Sequence, residues 1–145
     1  MVDYGCGKGR VGFYLNHVLG CKAIGLEYNE EIFQQAEENR KSYGKQDVTF
    51  LCANAEDFSV EEADCFYFFN PFSVEILKSV MGRILDSYYA APRRMRLFFY
   101  YPNDEYLAYL MTGYALGYVE EIDCRDLFGG KDDRERILVF EIGVF

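Results

Sequence analysis

Asp3-Tyr4-Gly5-Cys6-Gly7-Lys8-Gly9 sets a carboxylate just ahead of three alternate glycines. Glycine lets a backbone turn sharply and lets a ligand reach main-chain N–H groups with no Cβ in the way, so the segment reads as a ligand-binding turn. Gly7-Lys8-Gly9-Arg10-Val11-Gly12 also spells G-x-G-x-x-G, and Glu27 follows at about the distance of a ribose-binding acid in a dinucleotide site. Glu27 alone does not separate the two kinds of nucleoside ligand. Asp3 does: a carboxylate at a strand end suits an ammonium group, or a water bound to one, and repels a pyrophosphate. The ligand implied is cationic and free of phosphate, with an NAD-dependent oxidoreductase as the alternative reading.

The elements that position these residues follow from hydrophobic period. Val2 to Tyr4 form an opening strand, and after the glycine turn comes a helix with Val11, Tyr14, Leu15, Val18 and Leu19 on its inner face, ended by Gly20. A strand over 21–27 precedes a helix capped by Asn29, with Glu30 and Glu31 in its first turn and Ile32, Phe33, Ala36 and Tyr43 inward. Strands are expected over 48–52, 64–70 and 95–101. Ser73 caps the helix between the last two, its inner face being Ile76, Leu77, Val80, Met81, Ile84, Leu85 and Tyr88. Asn103 opens one more helix, with Tyr106, Leu107, Leu110 and Met111 inward. Two strands over 118–124 and 136–145, joined through Phe128 to Asp133, close the chain as a hairpin. Alternating strands and helices with apolar strands predict an α/β domain whose mostly parallel sheet is covered on both faces.

The 145 residues suit one domain, and no linker or repeat divides 1–145. Thirteen Tyr and thirteen Phe make its core aromatic. Twenty-four acidic against fifteen basic side chains give a formal charge of -9, which disfavours free nucleic acid as a partner. Cys6, Cys21, Cys52, Cys65 and Cys124 show no metal-ligand spacing and read as reduced thiols of a cytoplasmic protein. No apolar run reaches the roughly 20 residues of a membrane span, and the start has no signal peptide. His17 lies within the first helix, a surface or packing position rather than that of a catalytic base.

Val2-Asp3-Tyr4-Gly5-Cys6-Gly7-Lys8-Gly9 resembles the first motif of class I S-adenosylmethionine-dependent methyltransferases. The resemblance implies a Rossmann-like sheet of seven strands in the order 3-2-1-4-5-7-6, with strand 7 antiparallel. It also implies a chain shortened at its N-terminus, since further structure ordinarily precedes the first strand. S-adenosylmethionine would then be held by Asp3, Gly5, Cys6, Gly7 and Gly9 at its methionine end. Glu27, followed by Tyr28, would take the ribose. Asn54-Ala55-Glu56 resembles the adenine-binding segment after strand three; Asn54 replaces the commoner Asp, but its amide oxygen still accepts.

Phe69-Asn70-Pro71-Phe72 resembles the strand-four motif of nitrogen-directed methyltransferases. By that likeness Asn70, Pro71 and Phe72 are the catalytic residues and Asn70 also borders the cofactor. The Asn70 side-chain oxygen and Pro71 carbonyl can accept two N–H bonds from an acceptor amine, while Phe72 stacks on a planar group or on the sulfonium. Phe72, Tyr101 and Phe128 are expected to line the acceptor pocket. The acceptor implied is a small molecule or a protein side chain, no metal is expected, and a catalytically silent binding module is the remaining alternative.

Overall fold

The computed structural model describes residues 1–44, 47–113 and 115–143. The chain runs β1 (Val2–Tyr4), α1 (Arg10–Leu19), β2 (Ala23–Glu27), α2 (Glu30–Tyr43), β3 (Val48–Cys52), β4 (Cys65–Phe68), α3 (Val74–Ala90), β5 (Met95–Tyr100), α4 (Asp104–Thr112), β6 (Gly117–Asp123) and β7 (Arg136–Ile142). The strands form one sheet in the order β3-β2-β1-β4-β5-β7-β6. β1 to β5 pair in parallel, and β7 runs antiparallel to β5 and β6. This is the expected Rossmann-like sheet. Several strands stop short of their expected ends, and Val144 and Phe145 lie outside the described residues.

Helix starts obey local chemistry. The side-chain oxygens of Asn29, Ser73 and Asn103 accept from the N–H groups of Ile32 (3.1 Å), Ile76 (3.4 Å) and Tyr106 (2.9 Å), which satisfies donors that a first helical turn leaves open. Each cap therefore fixes where a strand-end loop hands over to a helix. The loops that carry the site are held at both ends.

Side chains alternate across the strands, so each face builds its own core. On one face Tyr4, Phe66, Phe68, Phe99 and Phe140 pack under α3 and α4, whose Leu77, Val80, Met81, Ile84, Tyr106 and Leu110 are buried. Tyr4, Phe68 and Phe99 stack across three strands with ring centroids 4.9 and 4.6 Å apart. The smaller core on the other face joins Ala23, Val48 and Phe50 to Ala36 of α2, with Phe13, Phe33 and Tyr43 against it.

α1 departs from expectation. Tyr14 (64%), Val18 (54%) and Leu19 (69%) are exposed, while Gly12 and Asn16 face inward. Gly12 packs against β2 and β3, where a Cβ would lie at ordinary contact distance, 3.5 Å from the Ala23 side chain. Asn16 is buried because it is satisfied, donating to the Cys21 carbonyl at 2.8 Å and accepting from the Tyr43 hydroxyl at 2.8 Å. The apolar side of α1 instead borders an open groove of about 800 Å³ walled by Tyr14, Leu15, Tyr67, Phe98 and Ile137. Coverage on this face is thus confined to one half of the sheet. Met111, expected inward on α4, is 62% exposed.

The basic run Arg93, Arg94 and Arg96 reads in the sequence as a solvated turn; Arg94 and Arg96 keep much of their side chains in solvent, yet all three are also paired. Arg93 donates to the carbonyls of Glu61, Ala63, Ser87 and Ala91, and so locks the end of α3. Arg94 and Arg96 both reach Glu141 of β7, at 2.8 and 2.6 Å. The cationic run ties β5 to β7.

Candidate active site

Beyond the C-terminal ends of β1, β2 and β4 lies a cavity of about 530 Å³ whose wall includes Gly5, Glu27, Tyr28, Asn54, Pro71 and Phe72. Ala55 joins them from the expected set, and Leu26 and Ile76 line it too, although Ile76 is expected on the inner face of its helix. Asp3, Cys6, Gly7, Gly9, Glu56 and Asn70 stand behind or beside this wall rather than on it.

The three alternate glycines are required for different reasons. Gly5 (φ +72) has the Pro71 ring over it, so that an added Cβ would come within 2.5 Å of Pro71 Cβ. Gly9 (φ +92) is packed from below, where a Cβ would meet the rings of Phe50 and Phe13 at 2.4 and 2.8 Å. Only Gly7 faces open space, and its N–H donates to Glu27 Oε1 at 3.1 Å. The turn is therefore clamped between loop and core, with open space only beside Gly7.

Glu27 bridges two elements, because its Oε2 accepts from the Asn29 N–H at 3.0 Å while Oε1 holds Gly7. A carboxylate has about four acceptor sites, so two remain for hydroxyls in the cavity. Asp3 is only 4% exposed, and burial together with the neighbouring Glu27 pushes its carboxyl up to about 7. Two close carboxylates, one buried, are completed by a cation and opposed by a phosphate. The donor set is compatible with S-adenosylmethionine: Glu27 would meet the ribose hydroxyls, and Asp3 with the glycine turn would face the ammonium end. Burial and the same two acids push the Cys6 thiol up to about 12, so Cys6 packs as a neutral side chain and is no nucleophile.

The Asn54 amide oxygen already accepts the Glu56 N–H at 3.0 Å, which shapes the short 3-10 turn Ala55–Asp57. One lone pair is left to meet a ligand amino group. Tyr28, 78% exposed, stands at the rim.

At the end of β4 the geometry revises the expected picture. Asn70 (φ 41) donates through Nδ2 to the Tyr101 carbonyl at 2.7 Å, and its Oδ1 accepts from the Asn103 N–H at 3.0 Å. The amide was expected to point its oxygen at an acceptor; it holds two loops together instead, and keeps only a second lone pair for other use. Phe72 was expected to stack on an acceptor or on the sulfonium. Its ring meets Tyr4 and Phe68 edge-on at 6.3 and 6.4 Å, so it belongs partly to the core and partly to the cavity wall. The Pro71 carbonyl accepts no hydrogen bond from the described residues. Tyr101 (φ 50) donates to Asp132, and Phe69, 54% exposed, lies 4.8 Å from Tyr100. Phe128 is 61% exposed in the loop between β6 and β7. His17 sits on the exposed side of α1, and among the described residues no acid, thiol and imidazole cluster could hold a metal. Among the described residues no helix is long and apolar enough to cross a membrane.

Residues 1–92 match the family model described as a methyltransferase domain. Among solved structures the chain is similar to an RNA methyltransferase from Salinibacter ruber in complex with S-adenosyl-L-homocysteine, at 14% identity over 99% of this chain and 80% of that one, with a TM-score of 0.73. It is similar also to an rRNA methylase from Streptococcus thermophilus (13% identity, 99% and 86% covered, TM-score 0.69) and to the N-methyltransferase NodS from Bradyrhizobium japonicum WM9 (13%, 97% and 83%, 0.68). These likenesses concern the fold. No curated protein matches the sequence.

Proposed function

The chain belongs to the methyltransferase-domain family, and from that premise we propose that it transfers the methyl group of S-adenosylmethionine to a nitrogen atom on a small molecule or a protein side chain. The observation that supports the nitrogen assignment is the Asn70-Pro71-Phe72 loop, which walls the cavity through Pro71 and Phe72 and whose Pro71 carbonyl accepts no hydrogen bond from the described residues. When bound, S-adenosylmethionine supplies an electrophilic methyl group. The protein has then to align the acceptor lone pair, and alignment is worth much of the barrier in such a displacement.

The Pro71 carbonyl can take one N–H of the acceptor, and the remaining lone pair of Asn70 Oδ1 can take another. Both oxygens face charge that grows on nitrogen during transfer, so they act more strongly at the transition state than before it. Phe69, Tyr100 and Tyr101 offer rings beside this point for a planar or cationic acceptor. The structural neighbours named above differ in acceptor and do not choose among them. A formal charge of -9 argues against RNA.

The test is single-turnover transfer from methyl-labelled S-adenosylmethionine to a panel of small amines and proteins, for wild type and Asn70→Ala. Loss of an acceptor aimed at developing charge lowers the rate about a hundredfold to a thousandfold, with S-adenosylhomocysteine affinity held within about tenfold. Wild-type rates in Asn70→Ala would remove the nitrogen assignment. Tight cofactor binding with no transfer to any member of the panel would favour the silent binding module, and preference for NAD would overturn the reading.

A further inference from the structure

The loop that forms the cofactor wall is fastened to α4 by a closed circuit of side chains. Asn103 N–H donates to Asn70 Oδ1 (3.0 Å), Tyr106 N–H donates to Asn103 Oδ1 (2.9 Å), and the Tyr106 hydroxyl donates to the Phe72 carbonyl (2.7 Å). Chain continuity through Pro71 returns the circuit to Asn70. Tyr106 is 1% exposed, and its ring meets Phe99 edge-on at 6.3 Å, so a rigid core delivers its hydroxyl. Asn70 and Tyr101 sit at φ 41 and 50, backbone conformations that non-glycine residues keep only when their surroundings hold them. On the far side of the loop the Pro71 ring covers Gly5, and Pro71 and Phe72 wall the cavity.

We infer that Tyr106 is a positioning residue for the cofactor site: its hydroxyl fixes the Phe72 carbonyl and thereby the wall formed by Pro71 and Phe72. This rests on reading the cavity as the S-adenosylmethionine site. Tyr106 does not line that cavity, so its effect travels through the loop. Burial pushes its hydroxyl up to about 12, which keeps it a donor across the working pH range.

Tyr106→Phe keeps the ring and deletes the hydroxyl. Two measurements test the inference: S-adenosylhomocysteine affinity by calorimetry well below the melting temperature, and amide hydrogen exchange over 70–76 in the ligand-free protein. Tyr106→Phe should weaken S-adenosylhomocysteine about threefold to tenfold, the effect of one lost hydrogen bond, and speed exchange in the loop. Leu110→Ala, which empties a buried α4 position without touching the loop, should lower the melting temperature and leave affinity unchanged. Equal loss of affinity in both variants, or wild-type affinity in Tyr106→Phe, would overturn the inference. If wild type itself binds no S-adenosylhomocysteine, the cofactor reading fails separately; unchanged loop exchange in ligand-free Tyr106→Phe would still reject the latch, and faster exchange would sustain it.

Discussion

Asp3 and Glu27 make the site legible one residue at a time. A buried acid titrating at about 7 beside a second acid leaves the folded chain short of a cation. Below pH 4 Asp3 is protonated in folded and unfolded chains alike, so it adds no penalty there. Between about 4 and 7 only the unfolded chain ionises, and folding stability falls, by about 4 kcal/mol in all. Above 7 the penalty is constant. A ligand carrying an ammonium group lowers the Asp3 value, so cofactor affinity should rise from pH 5 to 7 and level off above it; calorimetry across that range should show the rise in wild type and none in Asp3→Asn. Glu27→Ala should weaken the cofactor by about 1.5 to 3 kcal/mol, the range for hydrogen bonds to a charged group. An analogue without ribose hydroxyls separates ligand contact from turn support: it should be nearly insensitive to Glu27→Ala, and an equal loss for both ligands would assign Glu27 to holding Gly7 and Asn29 alone. Sequence motifs single out both acids, and the structure makes them neighbours. They could not show that the amides of Asn70 and Asn54 are already engaged within the protein, because those partners are set by loop geometry rather than by spacing.

Among the elements, α1 shows where hydrophobic period misleads. Its apolar positions are regular, yet Gly12 and Asn16 face the sheet, where the Asn16 amide is satisfied by Cys21 and Tyr43. The reason lies in contacts from β2 and α2 that no local window contains. The two helix layers should respond differently to substitution. Tyr14→Ser and Leu19→Gln on α1 should each change stability by less than about 0.5 kcal/mol, as surface changes do, whereas Leu77→Ala on α3 should cost about 2 to 5 kcal/mol. Denaturant unfolding of the three variants gives the comparison; a large loss from the α1 changes would mean that its apolar side is covered in solution. α3 is the contrasting case, since its expected inner positions Leu77, Val80, Met81 and Ile84 are all buried. There the stripe meets a continuous aromatic sheet and nothing competes with it.

For the molecule as a whole, the order of elements indicates a mostly parallel sheet closed by an antiparallel hairpin, and the family resemblance carried by the first glycine motif implies the strand order that the structure shows. Side-chain circuits between loops were not foreseeable in this way, and these decide how the acceptor is met. The candidate cavity, the Asn70 hydrogen bonds, the exposed Phe69 ring and the half-buried Tyr101 ring converge at one end of the sheet, where β4 and β5 give way to their loops. The central claim is that this end carries a methyl group to nitrogen. The most direct measurement is transfer from carbon-13-methyl-labelled S-adenosylmethionine to cell extract, followed by NMR of the methyl product, whose carbon shift distinguishes attachment to nitrogen, oxygen or carbon. The account predicts a single enriched methyl signal in the N-methyl region that is lost with Asn70→Ala; a signal in the O-methyl or C-methyl region, with the cofactor bound and consumed, would contradict it.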